Sequence, residues 1–242
     1  MEIIHLESVD STNRYCELLD LGKVGEFTIV CAEEQTAGRG QQSHRWESQK
    51  GQNLTLSLIL HPTFLNIADQ FQLQKVLSLG LVDLLDSYHI GQVGIKWPND
   101  IYVGSDKICG ILVANKISRN SIQSSVCGIG LNVNQTIFPD WVPNPTSLAL
   151  LKNETFHLDE VLNGLIKCIS DRYQMLKSGQ DKLLDNEYLA NLMHLDKPAN
   201  YTYQGKAIRA TITGVNRFGH LQLTIDDGTE ISCQIGEISL IH

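Results

Sequence analysis

The sequence predicts an α+β protein in which a mixed β-sheet packed with helices, residues 1–194, precedes a small antiparallel barrel of short strands, residues 195–242. Three observations carry this. Strand-like stretches and helical patterns are interspersed as far as Pro198. One long segment, His157 to Leu176, sets Leu158, Val161, Leu162, Leu165, Ile166, Ile169, Tyr173 and Leu176 at helical spacing. Beyond Pro198 the pattern becomes alternation: Ile208, Ala210 and Ile212, then Leu221, Leu223 and Ile225, then Ile231, Cys233 and Ile235, with Asp227-Gly228 as a hairpin turn.

Taken in order, "EIIHLESVDSTNRYCELLDLG" reads as a short strand, a polar turn and a helix that starts at Ser11, Thr12 and Asn13 and ends at Gly22. Strands follow at "FTIVCA" and "NLTLSLIL", where Leu54, Leu56, Leu58 and Leu60 alternate with Thr55, Ser57 and Ile59. Between them lies the polar, glycine-containing "EEQTAGRGQQSHRWESQKGQ"; a loop of that length inside a compact domain is more often functional than idle. A helix apolar on most faces, about Asp69 to Tyr88, is expected to be buried. Strands around Lys96, at "IYV", "KICGILVAN" and "QSSVCGIGLNV", lead to a Pro-rich loop, Phe138 to Ser147. The His157 helix has Asp159 and Glu160 in its first turn and Gly179 beyond its end.

A chain of 242 residues, 42% of them hydrophobic, buries a sizeable core. Its net charge of −8, with no run of Lys and Arg, excludes a general electrostatic grip on nucleic acid or anionic lipid, so the partner is expected to be small or recognised locally. Cys16, Cys31, Cys109, Cys127, Cys168 and Cys233 form no Cys-x-x-Cys pair and no zinc-spaced cluster. They read as buried reduced thiols of a cytosolic protein. "MEIIHLESVD" lacks the basic region and apolar core of a signal peptide, and no apolar run is long enough for a membrane span; the expected location is the cytoplasm.

The segment "GIKWPNDIYV" runs a strand into a cation and then a proline, where a ladder must stop. Lys96 is either a solvated, exposed turn residue or a cation that the strand aims into a cleft. "GRGQQSHRW" offers Gly38, Arg39 and Gly40, which let backbone amides and a guanidinium approach an anion, although an isolated Gly-Arg-Gly reads first as a flexible surface turn. It matches neither a P-loop nor a dinucleotide fingerprint. Further polar or glycine-bearing strand ends occur at Ser11-Thr12-Asn13, Gln35, Lys107 to Gly110, and Gly128-Ile129-Gly130 with Asn132. Within one sheet these ends could converge on one cleft. Gly128 and Gly130 are equally read as a bulge or close packing, and Trp46 as core.

Together "STN", "EEQTAGRG" with a following "RW", "KWPNDIYV", "KICGILV" and "GIGLNVN" occur in the order and approximate spacing of the catalytic domain of biotin protein ligases, and the chain resembles that family from Ile3 into the C-terminal barrel. The resemblance implies a class II synthetase-like catalytic domain with an SH3-like C-terminal barrel. It implies that biotin and ATP with Mg²⁺ give biotinyl-5′-AMP and pyrophosphate, after which the acyl group passes to a lysine of a biotin carrier domain. Ser11, Thr12, Asn13 and Gln35 would hold the ureido ring, and Arg39 with the backbone at Gly38 and Gly110 to Leu112 would enclose the acid end. Lys96 would meet the reacting carboxylate and the α-phosphate. Gly128 and Gly130 would let the strand approach biotin. Gly40, Gln41 and His44 would belong to the loop over the adenylate, and Trp46 and Asn132 would lie on the adenine side. The metal ligands are not indicated.

A carboxylate attacking a phosphate brings two anions together, so fixed cations supply the catalysis and no side-chain nucleophile is needed. Many members carry more arginines in this loop; here Gln41, Gln42, Ser43 and His44 follow Gly40, so the loop is expected to be mobile without ligand and to clasp the adenylate loosely. The chain begins at the catalytic domain, which implies a ligase without a helix-turn-helix and without DNA binding. Two other readings stay open: a lipoate or octanoate ligase or transferase of the same fold, and a non-catalytic binding module.

Overall fold

A computed structural model describes residues 2–41 and 44–241. Seven strands form the main sheet: β1 (Ile3–Val9), β2 (Thr28–Gln35), β3 (Leu54–Leu60), β4 (Val93–Lys96), β5 (Asp100–Val103), β6 (Asp106–Ser118) and β7 (Ser121–Leu131). Their spatial order is β1-β2-β3-β7-β6-β5-β4. β1 and β2 are parallel and every other neighbouring pair is antiparallel, so the sheet is mixed.

One face carries α2 (Phe71–Ser87), α4 (Leu158–Lys177) and α5 (Asp181–Ala190). α2 is buried almost all round, as its continuous apolar sequence requires. It crosses α4 closely: a Cβ on Gly80 would lie 2.8 Å from Ile169 Cγ1. Arg172 of α4 then pairs with Asp83 of α2 and Glu187 of α5, tying the three helices together. The other face of the sheet carries α1 (Thr12–Glu17) over a smaller cluster of Cys16, Leu21, Val30, Ile59 and Val126. A short helix α3 (Leu148–Lys152), capped by the Ser147 hydroxyl accepting from Leu150 N, follows the Pro-rich loop.

The expected barrel is realised as a five-stranded antiparallel sheet of β8 (Pro198–Tyr203), β9 (Lys206–Val215), β10 (Leu221–Ile225), β11 (Glu230–Cys233) and β12 (Ile238–Leu240), ordered β11-β10-β9-β8-β12. Tyr201, Ala210, Ile212, Leu221, Leu223 and Cys233 join the same apolar cluster as the main sheet and its helices.

Several expectations are corrected. The first helix ends at Glu17, five residues short of Gly22, and the segment beyond it is closed by turn hydrogen bonds such as Leu21 N to Leu19 O. α3 and α5 were not foreseen: one is five residues long, and the other buries only Leu184 and Tyr188. The alternation in β3 does not divide core from solvent, since all seven residues are buried, Thr55 and Ser57 included. Cys31 and Cys168 are only partly buried, and all six cysteines are free thiols. Among the described residues no helix is long and apolar enough to cross a membrane.

Candidate active site

One cavity of about 360 Å³ opens between the α1 face of the main sheet and the C-terminal sheet. Its wall gathers Ser11, Thr12, Asn13, Gln35, Arg39, Gly40, Gln41, His44, Trp46, Lys96, Gly110, Leu112, Gly128 and Gly130. The sequence-predicted strand ends therefore do converge. Gly38 and Asn132 are not on that wall: Asn132 is buried, donating from Nδ2 to Thr146 O, and Gly38 backs the Trp46 main chain, where a Cβ would lie 2.6 Å from Trp46 O. Gln42 and Ser43, which belong to the loop predicted to be mobile, lie outside the described residues.

At one end the polar groups of α1 are fixed by a small buried network. Gln35 Oε1 accepts from Thr12 N at 2.8 Å and from Thr12 Oγ1 at 3.2 Å. Ser57 Oγ, fully buried in β3, lies 2.8 Å from Thr12 Oγ1 and 2.6 Å from Asn13 Oδ1, while Asn13 Nδ2 donates to Leu112 O at 3.3 Å. A satisfied buried network of this kind holds its members in one orientation and presents fixed donors and acceptors.

The sheet beneath places glycines where side chains lie close against it. Gly110 faces Gly130 across β6 and β7, and Gly128 faces Leu112 in the same register. These are close-approach positions and not a bulge, because the only register break between β6 and β7 falls at Lys116/Ile117. A Cβ at Gly128 would lie 2.2 Å from Asn13 Oδ1, and one at Gly130 would lie 2.3 Å from Trp46 Cε2. Trp46 thus lies on two glycines over the cavity instead of in the core. Gly128→Ala is expected to push Asn13 out of its network and to weaken binding of a polar ring at this end by about tenfold or more, the equivalent of a lost charge-free hydrogen bond plus its displaced neighbour. Calorimetric titration of the variant checks this.

Lys96, Lys107 and Arg39 supply cations to the same cavity. Lys96 ends β4 and is half-buried, not exposed as a plain turn residue would be. Its Nζ lies 3.4 Å from Tyr102 Oη and 5.0 Å from the centre of that ring. Burial lowers the Lys96 pKa, Asp100 pulls it back up, and Lys107 lowers it again. Asp100, opposite Lys96 in the β4–β5 hairpin, pairs with Lys107 Nζ at 2.8 Å, and Lys107 also stands 5.7 Å from the Trp46 ring centre. Lys107, expected only as a polar strand end, also lines the cavity. Arg39 bridges to Arg45 in a small antiparallel pair, closed by Gly40 N to His44 O at 2.7 Å, and its guanidinium reaches Glu17 only at 4.0 Å.

Such a cavity has a polar, preorganised end, a glycine floor over which Asn13 and Trp46 lie, and the cationic side chains of Lys96, Lys107 and Arg39, and it suits a ligand with a hydrogen-bonding ring, a tail and a phosphate. Residues 5–132 match the model of the biotin/lipoate A/B protein ligase family. The chain belongs to that family. It is 31% identical over 234 residues to the bifunctional ligase/repressor BirA of Bacillus spizizenii, covering 93% of this chain and 70% of that one. It is 30% identical over 199 residues to the biotin–[acetyl-CoA-carboxylase] ligase of Paracoccus denitrificans, covering 80% and 82%. Among solved structures it is similar to a biotin protein ligase from Aquifex aeolicus in complex with biotin and ATP, with a TM-score of 0.83 at 26% identity over 100% and 99% of the two chains.

Proposed function

We infer that this chain is a biotin–protein ligase that activates biotin with ATP and transfers it to a lysine of the carrier domain of a biotin-dependent carboxylase. The observation that supports it best is the placing of Lys96, Lys107 and Arg39 in one cavity with the fixed polar groups of α1. The relative from Paracoccus denitrificans, named a biotin–[acetyl-CoA-carboxylase] ligase and covered over 82% of its length, agrees with it.

Ser11, Thr12, Asn13 and Gln35 hold the ureido ring, whose carbonyl and two N–H groups need donors and acceptors in fixed directions. Gly128 and Gly130, with Gly110 and Leu112, let Asn13 and Trp46 lie close against the strand and so leave room in the cavity for the bicycle and tail. The biotin carboxylate oxygen attacks the α-phosphorus of ATP, the bond from that phosphorus to the bridging oxygen breaks, and pyrophosphate leaves. Lys96 and Arg39 are the catalytic groups, and Lys107 joins them; they stabilise the charge that gathers between carboxylate and phosphate. The carrier lysine amine then attacks the acyl carbonyl, an amide forms, and AMP leaves. Trp46, Gly40, Gln41 and His44 enclose the nucleotide, with Asn132 supporting that side from beneath the wall. The neutral Gln41 clasps a phosphate less firmly than an arginine would.

Mg²⁺ fits this site only as a companion of ATP. Among the described residues no three His, Cys, Asp or Glu side chains gather as a metal cage, and Asp100, the carboxylate of the Lys96 hairpin, is held by Lys107. A magnesium ion bound mainly by water and substrate phosphates needs no such cage. It would neutralise charge on the leaving pyrophosphate.

We take residues 1–194 as the catalytic unit and residues 195–242 as the appended one, a carrier domain as the protein partner, the cytoplasm as the location, and neither DNA nor membrane as a partner, the last from the net charge of −8. The polar end of the cavity separates biotin from lipoate, since a dithiolane ring offers no groups for four polar side chains. Calorimetric titration tests this: biotin is expected to bind at least a hundredfold more tightly than lipoate, and equal binding contradicts it.

A further inference from the structure

The hairpin that carries Lys96 is held from two directions. On the sheet side, Asn99 Nδ2 donates to Ile111 O at 2.8 Å and Asn99 O accepts from Ile111 N at 2.9 Å. On the other side the anchor comes from the C-terminal sheet: Trp97 Nε1 donates to Gly219 O at 2.9 Å, across 122 positions of sequence.

Gly219 sits in the turn between β9 and β10, and that turn is rigid by construction. Asn216 Oδ1 accepts from Phe218 N and His220 N, both at 3.0 Å. Gly219 N donates to Asn216 O, and Asn216 N to His220 O, each at 2.9 Å. Gly219 has φ +86°, and a Cβ there would lie 2.4 Å from the Phe71 ring at the start of α2. Both the backbone angle and the contact require glycine. Arg217 pairs through two nitrogens with Asp69, in the short turn just before α2. The turn is therefore seated on α2 at one end and holds Trp97 at the other.

We propose that the turn Asn216–His220 is a strut through which the C-terminal sheet positions Lys96, with Trp97 as the positioning residue that transmits it. This deepens the ligase reading and rests on it. Lys96 and Trp97 share one peptide link, so a rotation of Trp97 displaces the Lys96 main chain, which lines the cavity. Catalysis that depends on charge placed against a transition state loses rate for displacements of the order of an ångström, whereas binding of the ring at the α1 end does not. Loosening the strut should therefore lower kcat and spare the biotin KM.

The test uses the full chain in biotin-dependent ATP–pyrophosphate exchange. Trp97, which itself lines the cavity, is changed to Phe, which keeps one aromatic ring and removes the donor; Arg217→Ala loosens the far end of the strut, where the side chain is 63% exposed and does not line the cavity, so it tests the strut without touching the site. The strut predicts a kcat loss of about tenfold in Trp97→Phe and about threefold in Arg217→Ala, the scale of one or half of one net hydrogen bond. Biotin KM stays within twofold and the melting temperature of Arg217→Ala stays within a few degrees, as a surface ion pair requires. The double variant loses no more than Trp97→Phe alone, because both act through one element. An Arg217→Ala enzyme with the wild-type kcat overturns the strut, as do losses that multiply in the double variant or fall on biotin KM. Absence of exchange in the wild-type protein refutes the ligase reading itself and the inference with it.

Discussion

Lys96→Gln is expected to slow formation of the adenylate by about a thousandfold, the upper range for removal of one preorganised electrostatic contact to a transition state. The fold should survive the change. Lys96 is half-buried, and its pKa is lowered chiefly because burial disfavours the ammonium, so the folded state holds this charge less favourably than the unfolded chain does. Removing it relieves that penalty below the folded-state pKa, and the melting temperature should be unchanged or slightly raised. Glutamine keeps the length and loses the charge. Single-turnover formation of biotinyl-AMP by the purified variant measures the rate. A pH profile adds a second reading: a lowered pKa means that the cation is lost at a pH below the ordinary lysine value, so kcat/KM should fall on the alkaline side earlier than an unperturbed lysine predicts. Lys96→Arg should move that limb upward, because guanidinium does not titrate there. A Lys96→Gln enzyme as fast as wild type would show that the strand end does not meet the phosphate.

Lys107→Met should lower the same rate by about a hundredfold, as loss of a second charge beside the reacting phosphate would. Here the structure specifies more than a loss. Lys107 is the partner of Asp100 at 2.8 Å and depresses the Lys96 pKa, while Asp100 raises it. With Lys107 gone, Lys96 loses a repelling cation and keeps an attracting carboxylate. Its pKa must rise, and the alkaline limb of the pH profile must move up as the maximum rate falls. Combining Lys107→Met with Asp100→Asn removes the unpaired carboxylate and should return the limb toward its original position without restoring the rate. A limb that stays in place in Lys107→Met would mean that the two lysines do not share an electrostatic environment.

The two lysines also mark what sequence reading reaches. Lys96, Arg39, Gly40 and Ser11 to Asn13 are legible as cavity residues because each belongs to a short ordered motif, whereas Gly38 of the same motif backs the Trp46 main chain instead. Lys107 is not, since its role depends on the β5–β6 register that returns it to Asp100, and an isolated lysine at a strand start has no distinguishing pattern. Ser57 is hidden for a related reason: alternation in "LTLSLIL" suggests a wet face, whereas α1 covers that face and makes the hydroxyl part of a buried network. The bond from Trp97 to Gly219 joins positions 122 apart and leaves no local trace. In the fold, α4 is legible from eight apolar residues at helical spacing, while α5, with Leu184 and Tyr188 as its buried pair, falls below what periodicity resolves. Gly128 and Gly130 were ambiguous in sequence, and only the ladder register shows that they make room for Asn13 and Trp46.

Whether the chain activates biotin is measured by exchange of labelled pyrophosphate into ATP with the purified chain, with and without biotin. The reverse of the first half-reaction returns label to ATP only if the enzyme forms an acyl-adenylate from the added acid, with no carrier needed. The cavity described here predicts exchange that requires biotin, is not supported by lipoate and is lost in Lys96→Gln. Exchange that lipoate supports equally well, or no exchange at saturating biotin and ATP, would contradict it.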